Sequence, residues 1–450
     1  MRKAQALLGN LSKNPMKHKI DASAVARMPR LLYADEQGRI YDHPDLLMLG
    51  RSGDHDIPPL SSDWMPMPEM SRLFYLPFCP PRGIDPCSGK IVTLRTQRID
   101  GRRVRCCAVA AFLEPGYART LLPSADMSQK NYVLPLWAYT AVGYLDNQYV
   151  VCAFAVEENP RWDPRNFDDR LVVPGVRSRL RRAGHNPLLH HLAHCATHNH
   201  CFAAKNLFLE RWEAPLPVSR RCNARCLGCL SLQSKTSCPP AHHRIAFKPS
   251  VDQVVEVAVP HLEKAQDAIV SFGQGCEGEP LTEATLIACA TRAIRARTAR
   301  GTINLNTNGS FPGKLRTLID SGLDSIRISM NSARPRLYEA YTRPRGFSFN
   351  DVQRSTALAR EAGIFTMINY LIFPGITDQE EEFEHLVGLV NRTGIRYIHF
   401  KNLCIDPDIY IRSVPRGDSP ALGIRTIVER LQEACPEVKV GYFNQPAPLS

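Results

Sequence analysis

The sequence contains no apolar run approaching the ~20 residues that a bilayer span requires. The stretch at 109–113, for example, is ended at once by Glu114 and Pro115. A membrane-spanning helix is therefore not expected, and neither is a membrane partner. The first 30 residues carry seven Lys or Arg against one acid, but lack the apolar segment of about 7–15 residues that marks a secretory signal. Export is not expected, and the chain reads as cytoplasmic. Glycine and proline, 27 and 35 of 450 residues, fall short of the ~25–30% typical of low-complexity chains. No internal repeat is present. No aromatic residues interleave with the basic ones in the manner of a nucleic-acid-binding motif.

What is present starts with charge. The formal net charge is +12, with 43 Arg against 13 Lys, so an anionic partner is expected. Because the basic residues are strewn along the chain, a solvated basic surface is favoured over nucleic-acid binding. At 450 residues with 44% hydrophobic and 22% charged residues, the chain is long enough for two or three domains. Fifteen cysteines in a chain without an export signal point to metal binding or chemistry rather than disulfides.

Five regions are expected. Residues 1–70 read as a weakly structured basic lead, punctuated by Gly50, Gly53, Pro58 and Pro59. Residues 71–156 carry short runs rich in Val, Tyr and Cys broken by turns, the pattern of a small β-rich domain. Residues 157–210 form a His/Cys-rich connector containing LLHHLAHCATHNHC. Residues 211–410 alternate strand patterns at 212–218, 268–272, 303–307, 325–330, 366–373 and 397–401 with helical ones near 251–264, 283–298, 312–321, 350–362 and 379–391. Ser250 and Asp378 are the expected helix caps. Residues 411–450 read as a C-terminal helix and tail. The alternation predicts an α/β fold with a parallel sheet, whose ligands sit at the C-terminal ends of the strands.

Just after the first expected strand, SRRCNARCLGCLS places Cys222, Cys226 and Cys229 in one C-x3-C-x2-C loop. Soft thiolates select iron–sulfur clusters, zinc or copper(I), and three ligands leave a coordination position open. A structural zinc site would need a fourth ligand, such as Cys238 or a nearby His.

The loop resembles the defining motif of the radical S-adenosylmethionine (SAM) superfamily, and the downstream segments extend the likeness. SFGQGCEGEPL carries Gly278-Glu279-Pro280 after strand two, NLNTNGS carries Asn306 to Gly309, RISMNSA carries Ser329 and Asn331, and NYLIFPGITDQEEE follows strand five. The resemblance covers residues 212–404 and implies a partial (β/α)6 TIM-like barrel preceded by a β-rich domain. That domain is expected to cover the barrel mouth or bind the substrate.

The resemblance further implies that Cys222, Cys226 and Cys229 hold a [4Fe-4S] cluster whose fourth iron takes the amino and carboxylate groups of SAM. Gly275, Gly278, Glu279, Pro280, Asn306, Asn308, Ser329 and Asn331 are the implied cofactor-binding residues. Glycines at 275 and 278 would let backbone approach the ligand, the carbonyls beside Glu279 would take the SAM ammonium, and Ser329 and Asn331 would face the ribose. Turn formation or capping is an equal reading for each Asn and Ser. Cys276 and Cys404 are candidate hydrogen-atom donors, and His399 and Lys401 are strand-end candidates. Cys195 and Cys201, with His198 and His200, are candidate ligands for a second Fe–S or zinc site, completed by Cys238 or by Cys79, Cys87, Cys106 and Cys107. The implied partners are a low-potential flavodoxin- or ferredoxin-like electron donor and a peptide or small-molecule substrate. The alternatives are RNA modification and a non-catalytic Fe–S or zinc protein.

Overall fold

A computed structural model describes residues 28–448 apart from 167, 416 and 418. The described residues divide into two units: one comprises 28–113 with 119–131 and 139–153, the other 114–118, 132–138 and 154–448.

The first unit is antiparallel. Its strand Arg30–Ala34 is buried at four of five positions and pairs with Ile40–Met48, Cys107–Phe112 and Val142–Leu145 in a nine-stranded sheet. Leu31, Tyr33, Leu46, Leu94 and Cys106 form one small core; Met48, Leu121, Ala141 and Cys152 form another. The weakly structured lead expected through residue 70 is therefore corrected over 28–70. RLLYA and IYDHPDLLM supply enough alternating apolar residues to pair, and the glycines and prolines mark turns between strands. The part of that expectation covering residues 1–27 lies outside the described residues.

The second unit opens with helices α1 (Val172–Ala183), α2 (Pro187–Thr197) and α3 (Phe202–Phe208). Seven parallel strands follow: β1 (Glu213–Pro215), β2 (Ile269–Phe272), β3 (Thr302–Thr307), β4 (Ser325–Met330), β5 (Phe365–Ile372), β6 (Tyr397–Asn402) and β7 (Lys439–Gly441). They pair in sequence order. The intervening helices are α4 (Val251–Lys264), α5 (Ala284–Arg295), α6 (Pro312–Ile319), α7 (Pro335–Thr342), α8 (Phe349–Glu361), α9 (Glu380–Thr393), α10 (Pro407–Ser413) and α11 (Ile424–Ala434). Right-handed crossovers between strands in consecutive order place every helix on one side of the sheet. Such a sheet curls into an open barrel rather than a flat doubly wound one.

The two faces of the strands confirm this. Val270 and Phe272, Ile303 and Leu305, Ile326 and Ile328, Ile368 and Ile372, and Ile398 and Phe400 share one hydrophobic core with the helices. The alternate positions, Ser271, Asn304, Asn306, Ser325, Arg327, Ser329, Asn369, His399 and Lys401, form a polar lumen.

Ser250 caps α4 in a reciprocal capping box with Gln253. The expectation for Asp378 is corrected. The cap of α9 is Gln379, while buried Asp378 accepts from the Gly375 amide through Oδ1 and from the Leu422 amide through its carbonyl. Helix α7 and strand β7 were not legible in the sequence, being only eight and three residues long. Among the described residues no helix is long and apolar enough to cross a membrane.

Candidate cofactor site

The Cys222–Cys229 loop leaves β1 and is stitched to its neighbours through backbone atoms. On one side the Gly278 amide donates to Ser219 O (2.7 Å) and the Glu279 amide to Arg221 O (2.8 Å). The approach at Gly278 is so close that a Cβ there would lie 2.0 Å from Arg221 O, which explains glycine at this position. On the other side the Arg225 amide donates to Thr342 O and the Leu227 amide to Tyr341 O (both 3.0 Å), at the end of α7.

Glu277 holds the β1 and β2 loop ends together. Its carboxylate accepts the amides of Val218 and Ser219 (2.9 Å each), Gly273, and Gln274 (3.2 Å). Burial pushes its pKa up to about 7 against those four donors. Glu279 ties the same loop to β3, accepting from the Leu281 amide (3.0 Å), the Thr307 hydroxyl and the Asn308 amide (2.8 Å). Burial raises it also to about 7. Its neighbour Pro280 opens a short turn.

The three motif thiols face one another. Burial, then Cys229 and Cys222, push the Cys226 thiol well up, and burial and Glu279 raise Cys222 to about 11. Arg244 Nη2 donates to Cys229 Sγ at 3.6 Å, and Ser231 Oγ lies 3.8 Å from the same sulfur. A single tetrahedral zinc ion would draw its sulfurs to about 3.8 Å of one another, given Zn–S near 2.3 Å. Among the described residues, the ligand atoms gathered within 4.8 Å are instead those of His191, Cys195 and Cys276. The wider motif triangle suits a cluster, whose irons occupy separate corners.

Other expected residues divide in two. Asn306 Oδ1 accepts from Asn304 (2.9 Å), while its Nδ2 is buried with no hydrogen-bond partner. Asn331 Nδ2 donates to Tyr410 OH (3.2 Å) and Leu337 O (3.4 Å), leaving Oδ1 buried and unpaired. Those two atoms are joined by Asn223 Nδ2 in the cysteine loop and Asn369 Oδ1 on β5 as buried polar atoms without a partner, the kind of atom that a bound ligand or water satisfies. Ser329 instead accepts from Asn369 Nδ2 (3.3 Å). The Asn308 side chain is fully used by the protein, donating to Asn223 Oδ1 (2.9 Å) and accepting from the Ser310 amide (3.0 Å), so it shapes the turn and orients the cysteine loop. Gly275 packs on His242. Cys404 Sγ lies 3.6 Å from Asn402 O, and its carbonyl packs close to Gly228 in the cysteine loop.

The expected second site is rearranged. Cys195 meets Cys276 and His191, not Cys201, which precedes α3 as its N-cap residue without a side-chain capping bond and whose thiol is pushed up to about 11 by desolvation. His198 stacks on His194 at 4.3 Å on an exposed face, and His200 is also exposed. Cys79, Cys87, Cys106 and Cys107 belong to the first unit, and Cys238 is buried beside Ser237.

The lumen holds Arg327 and Glu213, which motif reading missed, together with the expected strand-end residues His399 and Lys401. Arg327 on β4 is buried, and its Nε has no hydrogen-bond partner. Burial and the Arg327 charge bring Lys401 down to about 7, and burial with both cations holds His399 well below its ordinary range. Glu213 is the lumen acid, accepting from Ser271 (2.7 Å), Gln274 (2.9 Å) and Asn444 (3.0 Å). The alternation Ser325-x-Arg327-x-Ser329 was the available signal for Arg327.

Residues 216–387 match the family model described as the radical SAM superfamily. GTP 3′,8-cyclase from Thermodesulfovibrio yellowstonii is 28% identical over 187 residues, 41% of this chain and 55% of that protein. GTP 3′,8-cyclase from Petrotoga mobilis is 28% identical over 210 residues, 46% and 56% of the respective chains. The chain thus spans about half the length of these curated relatives. Streptococcus suis SuiB bound to the precursor peptide SuiA aligns with 13% identity and a TM-score of 0.37, covering 54% of this chain and 53% of SuiB.

Proposed function

Because this chain belongs to the radical SAM superfamily, we propose that it is an enzyme that cleaves SAM reductively and acts on a small anionic molecule held in the barrel lumen. Cys222, Cys226 and Cys229 would hold the [4Fe-4S] cluster. SAM would lie between that loop, the Gly278–Pro280 segment and the unpaired polar atoms of Asn306 and Asn331. The bound cluster and SAM supply a 5′-deoxyadenosyl radical able to remove a hydrogen atom from a substrate, with electrons from a flavodoxin- or ferredoxin-like donor.

The protein's part is to bind, orient and exclude water. The observation that carries the substrate class is the lumen charge: buried Arg327 with an unpaired Nε, and Lys401, whose charges act on one another, against the lumen acid Glu213. A buried guanidinium with an unused Nε donor is costly unless an acceptor fills the site, and an anion is the strongest such acceptor. The two relatives named above act on GTP, an anionic substrate, which supports the same class. A peptide reading lacks such a feature.

The test is anaerobic reconstitution with iron and sulfide, reduction in the presence of SAM, and chromatographic assay for 5′-deoxyadenosine. Formation of the nucleoside supports the reading. A loaded cluster that yields none, with an electron paramagnetic resonance spectrum unmoved by SAM, overturns it in favour of a non-catalytic metal protein.

Lys401 yields a pH prediction for the anion site. Its pKa near 7 means that it carries charge below that pH and loses it above. An anion bound beside it favours the charged form, so affinity should fall as pH rises through about 7. If binding raises the Lys401 pKa by one unit, the loss is about tenfold. Titration of GTP, as probe, into the reconstituted protein between pH 6 and 9 should show this limb. Lys401→Met should bind more weakly at low pH and flatten it. An affinity that rises with pH would contradict the assignment.

A further inference from the structure

Helix α2 brings a second set of soft ligands to the cofactor loop. His191 and Cys195 are four residues apart, so their side chains stack on one face one turn from each other. That face meets the loop after β2, where Cys276 stands between Gly275 and Glu277. His191 Nε2 lies 3.7 Å from Cys195 Sγ, and these two atoms and Cys276 Sγ all fall within 4.8 Å of one another.

We propose that His191, Cys195 and Cys276 bind a structural zinc ion, with His242 closing the tetrahedron. With Zn–S near 2.3 Å and Zn–N near 2.0–2.1 Å, the edge between a sulfur and a nitrogen ligand is about 3.5–3.6 Å. The observed 3.7 Å matches that edge without movement of the helix. The ligand set is thiolate and imidazole with no carboxylate, which suits zinc rather than a hard cation. Cys195 and Cys276 are 0% and 3% exposed, so both thiols are shut off from water, while His191 and His242 are half-buried.

His242 lies outside the 4.8 Å group but near enough for its charge to act on Cys195, and it is the side chain we assign to the fourth position. Its ring packs against Gly275, where a Cβ would come within 3.0 Å of Cδ2, and its Nδ1 is buried with no hydrogen-bond partner. His191 is held edge-on by Phe247, with ring centroids 6.4 Å apart. Support of this kind keeps a ligand in its orientation. The ion would pin α2 to the segment carrying Glu277, Gly278 and Glu279, and so fix the loop that abuts the three motif cysteines. This site stands independently of the reading of the lumen and of SAM cleavage.

The test uses the full chain with Cys222, Cys226 and Cys229 all replaced by alanine, so that no cluster contributes metal. Elemental analysis should find about one zinc per chain, the stoichiometry of a single closed site. Adding Cys276→Ser or His191→Ala should lower zinc affinity by roughly 10–100-fold or more. Adding Cys201→Ser, a half-buried cysteine outside the set, should leave zinc unchanged. Should the ligand variants fail to fold, cobalt(II) exchange into the triple-alanine chain decides: tetrahedral visible bands with thiolate-to-cobalt charge transfer support the site. No bound zinc, zinc indifferent to Cys195→Ser and Cys276→Ser, or a Cys195–Cys276 disulfide in the purified chain would each overturn it.

Discussion

Cys226→Ala is expected to reduce 5′-deoxyadenosine formation to background while leaving the barrel folded. Cys226 would be the middle ligand of the loop, and its thiol is pushed up by burial and then by Cys229 and Cys222. Removing it leaves two thiolates, too few to hold a cluster that already relies on three protein ligands and one open iron. The fold should survive because the loop is anchored by backbone hydrogen bonds at Ser219, Arg221, Arg225 and Leu227, none of which uses the Cys226 side chain. Iron content, the SAM-dependent paramagnetic signal and the nucleoside should therefore disappear together, with the circular dichroism spectrum unchanged. A variant that still forms the nucleoside at a comparable rate would refute the ligand assignment.

Glu277→Leu should be the most destabilising single substitution near the site. The carboxylate accepts four backbone amides, two from the β1 exit and two from the β2 exit, and it is buried at 4% exposure. Leucine has similar bulk and no acceptor, so all four N–H groups lose their partner in a place water does not reach. Each unsatisfied buried group costs about 1–3 kcal/mol. Partial relaxation makes a total of about 4–5 kcal/mol the reasonable expectation, at the upper end for point substitutions. Glu277→Gln keeps one acceptor oxygen and should cost roughly half as much. Urea denaturation of the cluster-free chain measures both. A Leu variant within 1 kcal/mol of wild type, a size ordinary for substitutions without a special role, would show that Glu277 does not hold the two strand exits together.

Much of the core was legible because its signals are local. C-x3-C-x2-C is contained in eight residues, and the alternation of Val/Ile runs with amphipathic helical stretches needs no long-range information. The six expected strands and five helices recur within a few residues of their expected bounds. Short elements were not legible: eight residues of α7 and three of β7 give too little periodicity to separate from a loop. The Gly and Pro punctuation of 28–70 misled for a related reason. Antiparallel strands with tight turns need those residues, and their pairing partners at 107–112 and 142–145 lie far along the chain.

The preference of the cysteine loop for a soft metal was legible in its residues alone. Ligand type and spacing are covalent facts of one loop, and thiolates select soft metals wherever the loop is placed. The tertiary structure alone decided which remaining polar residues act together. Cys195 meets Cys276 across 81 positions of sequence, and Arg327 meets Lys401 only because β4 and β6 point alternate side chains into one lumen. It also decided the fate of the asparagines, which share one composition and similar turn propensity. Asn308 was consumed by the cysteine loop, whereas Asn306 and Asn331 retained an atom for a ligand. That difference depends on which neighbours arrive at hydrogen-bonding distance, and neighbours are a property of the fold.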